Sequence, residues 1–115
     1  MPITRHDVGP RMSRAVVHGD TLYLSGHVHP DRSIGVAGQT KAILARIEAL
    51  LKEVGSDKSK LLSANIWLAD IATFDEMNAV WERWIDPANP PARATVQATL
   101  ASPDYLIEVA VIAAR

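Results

Sequence analysis

The sequence predicts an α+β domain: one mixed β-sheet with two helices packed on one face, in the order β-β-α-β-α-β-β. Three observations lead there. Strand-like alternation recurs at both ends and in the middle of the chain, two segments carry a single apolar stripe at helical spacing, and strands and helices interleave rather than segregate. With 115 residues, 48% apolar and 22% charged, the chain is expected to form one domain over residues 1–115.

The elements follow in order. "SRAVVH" and "TLYLSGHV" flank Gly19-Asp20, and a two-residue Gly-X connection is a hairpin signal because glycine accepts the positive φ of primed turns. A short additional strand is possible before them. "RSIGVAGQTKAILARIEALLKEVG" reads as a helix with Val36, Ile43, Ile47, Leu50 and Val54 on one stripe, and Gly55 stops it. In "LLSANIWLAD", Leu62, Ala64, Ile66 and Leu68 alternate with Ser63, Asn65 and Trp67. Thr73 and Glu76 have capping-box spacing at the start of "TFDEMNAVWERWI", whose stripe is Phe74, Met77, Trp81 and Trp84. "DPANPP" ends that helix. "ARATVQATL" and "LIEVAVIAA" complete the sheet, whose helix-free face is left to solvent or to other subunits.

Composition narrows the function. The formal net charge is −1 without a basic stripe, which argues against nucleic-acid binding. There is no cysteine, hence no disulfide or thiolate chemistry, and the cytoplasm is the default setting. The start of the chain shows no apolar signal core, and no segment reaches the length of a membrane span. His27 and His29 form an H-x-H without an obvious third ligand, so no metal is expected. Arg11 and Arg14, in "RMSR", are either surface arginines or a second anion contact near a cleft.

Glu108 is the one carboxylate in an apolar run, and an ionised acid there needs partners. In "ARATVQATL", Arg93, Thr95, Gln97 and Thr99 point one way, and Ala94, Val96, Ala98 and Leu100 the other. If the last two strands form a hairpin around Ser102-Pro103-Asp104, Glu108 falls opposite Thr95 or Gln97 and shares a face with Arg93. The pair is then either structural or a site, with Arg93 clamping a substrate carboxylate and Glu108 moving protons to or from water.

"GPRMSRAVVHGDTLYLSGHV", "MNAVWERW", "PPARATVQATL" and "LIEVAVIA", in this order and spacing, resemble the Rid (reactive intermediate deaminase, YjgF-like) family along essentially the whole chain. The resemblance implies a chorismate-mutase-like fold assembled as a homotrimer, with helices outside, sheets inward and clefts between subunits. It implies hydrolysis of enamines and imines, released by pyridoxal-phosphate enzymes, to 2-oxo acids and ammonia, with no metal or cofactor. Arg93 matches the arginine that holds the substrate carboxylate, and Glu108 the glutamate that positions water. Ser25 and Gly26 match the "SG" segment lining the pocket, and Asn78 an asparagine near it. Thr95 stands where many members have a cysteine whose backbone carbonyl orients the imine. Arg11 and Met12 replace an aromatic after "GP", and His27, a pocket-lining candidate, replaces a common glutamine. Beside the deaminase stand two alternatives: a module that binds small carboxylates without turnover, and the ribonuclease or translation-inhibitor activity attached to some relatives.

Overall fold

The computed structural model describes residues 1–115. Its elements are β1 (Ile3–Val8), β2 (Ser13–His18), β3 (Thr21–Leu24), α1 (Gly35–Glu53), β4 (Leu61–Leu68), α2 (Phe74–Trp84), β5 (Ala92–Gln97) and β6 (Ile107–Ala114). Six strands form one mixed sheet in the order β1-β2-β3-β6-β4-β5, with both helices over one face, as the two apolar stripes require. The possible extra strand is β1, which pairs antiparallel with β2.

Local chemistry sets most boundaries. His18 pairs with Thr21 across Gly19-Asp20, and Gly19 has φ 63°, so the expected hairpin turn forms. Helix α1 ends in a Schellman arrangement: Gly55 N–H donates to the Lys52 carbonyl and Ser56 N–H to that of Leu51, with Gly55 at φ 88°. The capping box at Thr73 does not form. A 3-10 turn over Ile71–Thr73 precedes α2, the Asp70 side chain caps it through Ala72 N–H, and the Thr73 hydroxyl donates to the Asp70 carbonyl. Asp70 is an N-cap type three residues earlier, and the tighter turn engages the Thr73 side chain first.

The core lies between sheet and helices. Ile43, Leu44, Ile47 and Leu51 of α1 and Met77 of α2 pack against Leu22, Ile66, Leu68, Ile107, Val109 and Val111, all at most 2% exposed. Gln39 is also fully buried. Its amide donates to the carbonyls of Asp31 and Asp104 and accepts from Leu106 N–H, which ties α1 to the loop that launches β6.

The end of the chain departs from expectation. Strands β5 and β6 do not form a hairpin. β5 runs parallel to β4 at the sheet edge, while β6 inserts between β3 and β4, antiparallel to both. The reason is the connection through α2: a helical crossover returns the chain to the same end of the sheet, so the next strand pairs in parallel. β6 then takes the central slot, where its wholly apolar row of Ile107, Val109, Val111 and Ala113 is buried. β5 also stops at Gln97 rather than Leu100.

Candidate functional site

The register decides which site residues meet. Glu108 pairs with Trp67 and alternates with the buried row of β6, so its side chain stands on the helix-free face. Arg93 and Thr95 pair with Ala64 and Ile66, which belong to the buried row of β4. They therefore point to the helix side. Arg93 and Glu108 lie on opposite faces of the sheet, and the single-chain pocket expected from a terminal hairpin is overturned. Alternation correctly separated the two rows of β5 but assigned the polar row to the wrong face. Ala94 and Val96 instead face the open side, with Val96 51% exposed.

Two half-sites result. On the helix side, the Arg93 guanidinium lies 5.3 Å from the ring centre of Trp81 and 5.8 Å from that of Phe74. Asn78 is four residues after Phe74 and three before Trp81, so it stands between them on the same face of α2. No carboxylate lies within ion-pair distance of Arg93, since both ion pairs in the protein use Glu48. Burial lowers the Arg93 pKa, with the charge of Glu82 opposing, and the group stays cationic at neutral pH. Beside it, the buried Thr95 hydroxyl has no hydrogen-bond partner. An unpaired guanidinium beside an unsatisfied hydroxyl suits a small carboxylate. Phe74 and Trp81 were legible only as core spacing, and their second role as a platform for Arg93 was missed.

On the open face, Glu108 lies against Gly26. A methyl added there would stand 2.1 Å from Glu108 Oε2, so only glycine leaves room for the acid in this position. The ladder explains the approach. Tyr23 pairs with Ile112 and His27 bridges Val109, four steps on one side against three on the other. The extra residue bulges the Ser25–Gly26 segment and presents Gly26 to the open face.

His27 follows the bulge and turns the other way. It is 4% exposed. Its backbone exchanges two hydrogen bonds with Val109, and Nδ1 donates to the Ser25 carbonyl at 2.8 Å. Burial lowers its pKa, with smaller contributions from Arg46 and Arg14. His27 therefore supports the bulge from below and does not share the face of Glu108. His29 is engaged separately, accepting from Asp31 N–H. Arg11 is exposed in the loop between β1 and β2. Arg14, by contrast, lines a cavity of about 380 Å³ with Ser25, Gly26 and His27. No helix is long and apolar enough to cross a membrane.

The arrangement can be set beside known proteins. Residues 5–115 match a family model described as Endoribonuclease L-PSP. A RutC family protein of Escherichia coli, YoaB, is 41% identical over 114 residues, covering 99% of each chain. The crystal structure of a YjgF family member from Neisseria meningitidis superposes with a TM-score of 0.95 at 40% identity, covering 100% of this chain and 96% of that one. A Rid family protein of Yersinia pestis superposes with a TM-score of 0.84 at 25% identity, over 94% of this chain and 90% of that one. Matched from end to end in both sequence and fold, this chain belongs to the Rid/YjgF (RutC) family.

Proposed function

We propose that the protein hydrolyses small imines and enamines that carry a carboxylate, giving 2-oxo acids and ammonia, in a site completed between two copies of the chain. One copy supplies Arg93, with Thr95 and Asn78 beside it. The next supplies Glu108 across Gly26. The observation that carries this reading is the separation itself: a free guanidinium beside an unsatisfied hydroxyl on one face, and a carboxylate nestled on a glycine on the other. Each is half of a site. A homotrimer, which the resemblance implied, would bring an edge strand of one copy to the open face of another, and the apolar residues on that face fit such burial.

The chemistry asks little of the protein. Arg93 holds the substrate carboxylate through two parallel N–H···O bonds. The protonated imine carbon is already electrophilic. Glu108 orients a water on that carbon and takes its proton as the C–O bond forms, giving a carbinolamine. The proton passes to nitrogen, the C–N bond breaks with its electron pair leaving on ammonia, and the hydroxyl collapses to the 2-oxo group. An enamine enters by protonation at its β-carbon.

The test couples the protein to a dehydratase that releases 2-aminoacrylate and times 2-oxo acid appearance. Acceleration above the spontaneous rate, lost in Arg93→Ala and in Glu108→Ala, supports the proposal. Wild-type rates in Arg93→Ala would rule out the clamp. The binding-only alternative draws on the same half-sites: 2-oxo acids raising the melting temperature without any turnover would favour it.

A further inference from the structure

We infer that a second anion site lies behind the Ser25–Gly26 bulge, where Arg14 of β2 and Arg46 of α1 converge on the buried imidazole of His27 and together hold a compact dianion such as phosphate. The proposal does not rest on the deaminase reading, since it uses neither Arg93 nor Glu108, although Gly26 borders both the cavity and Glu108.

The cavity measures about 380 Å³, and its walls include Arg14, Arg46, His27 and the Ser25–Gly26 backbone. A second groove of about 260 Å³ shares Arg14, His27 and Arg46 and runs along α1. Neither guanidinium has a carboxylate within 4 Å, both ion pairs of the protein being made by Glu48. Arg46 is anchored by one N–H, which donates to the Val28 carbonyl at 3.3 Å, and its remaining donors are free. His27 Nδ1 donates to a carbonyl, which cannot donate in return, so this nitrogen carries the proton and Nε2 is left without a protein partner. Two guanidiniums with forked donors and an imidazole that can become a third suit a tetrahedral oxyanion.

The opposing charges are few. Asp7, at φ 51°, lines both spaces, and Glu53 of α1 lines the second only. β6 presents apolar Val109 to His27, and its one acid, Glu108, lies against Gly26 without lining the cavity itself. Two fixed positive charges against one acid at the main cavity leave it net positive. A bound anion would also favour the protonated imidazole.

The experiment titrates the full-length protein with inorganic phosphate, malonate and acetate at constant ionic strength, reading melting temperature and the His27 ring signals by NMR. Saturable stabilisation by phosphate with a shift of the His27 signals is expected. Arg14→Gln and Arg46→Gln should each weaken it about tenfold. Saturable, arginine-dependent binding of malonate would assign the same site to carboxylate dianions as well. Equal phosphate affinity in the Arg14→Gln/Arg46→Gln double variant overturns the proposal. So does stabilisation that never saturates and is the same for all three anions. Both arginines are exposed, so each variant's melting temperature without anion checks that it folds.

Discussion

Gly26→Ala isolates the contact on which the open-face half-site rests. The added methyl would lie 2.1 Å from Glu108 Oε2 and 3.0 Å from Glu108 Cδ, whereas ordinary contact begins near 3.4 Å. The carboxylate must therefore recede by a little over 1 Å. Because the displaced atoms end a flexible side chain on an open face, stability should change by less than about 1 kcal/mol. Catalysis should respond far more. Moving a water-orienting group by about 1 Å costs on the order of 100-fold, or about 2.7 kcal/mol in the barrier. The assay is kcat/KM for dehydratase-generated 2-aminoacrylate, with chemical denaturation run in parallel. A variant with wild-type kcat/KM would show that the approach of Glu108 to Gly26 has no part in the reaction. A variant that simply fails to fold would show that the segment was misjudged as locally adaptable.

Three further outcomes are expected. Arg93→Lys keeps the charge but loses the forked donors and weakens the contacts with Trp81 and Phe74, so KM should rise about tenfold or more while the fold persists, as read by steady-state kinetics and circular dichroism. Ala110→Glu places a charge at the middle of the helix-free face, on the central strand β6 opposite Asn65; light scattering should show a trimer for the wild type and a smaller species for the variant. His27 has a folded pKa depressed below its ordinary 6.5, so the unfolded chain binds the extra proton first. Stability should fall as the pH drops through 6.5 toward the folded value, and be fully retained above 6.5. His27→Gln should flatten that segment of the urea-denaturation profile relative to wild type.

Much of the fold was legible because the signals were local. The Gly19-Asp20 turn, the stripe of α1 and its glycine stop each follow from a few neighbouring residues, and each forms. The capping box failed because Asp70 competes for the same role three residues upstream, and spacing alone does not rank two caps. The order of strands was not local information. "ARATVQATL" and "LIEVAVIAA" are adjacent in sequence with a proline-containing turn between them, which reads as a hairpin. The parallel pairing of β5 depends on the crossover through α2, and the central place of β6 on what else could fill that slot. The site suffered for the same reason. Period-two alternation says which residues share a face, never which face the helices cover, so the row of Arg93 was assigned to the side of Glu108. The contact between Gly26 and Glu108 joins positions 82 residues apart and has no sequence signature beyond a lone glycine. Arg46 carries no sequence signal of a site, since its convergence with Arg14 appears only once α1 is laid on the sheet.

Subunit complementation tests the composite site most directly. Arg93→Ala and Glu108→Ala chains, each inactive alone, would be co-expressed in equal amounts, purified as mixed oligomers and assayed for 2-aminoacrylate hydrolysis. If one copy supplies the guanidinium and the next the carboxylate, about a quarter of the sites in random mixtures receive both groups, and activity returns to roughly that fraction of wild type. A mixture of verified hetero-oligomers as inactive as its parents would contradict the account.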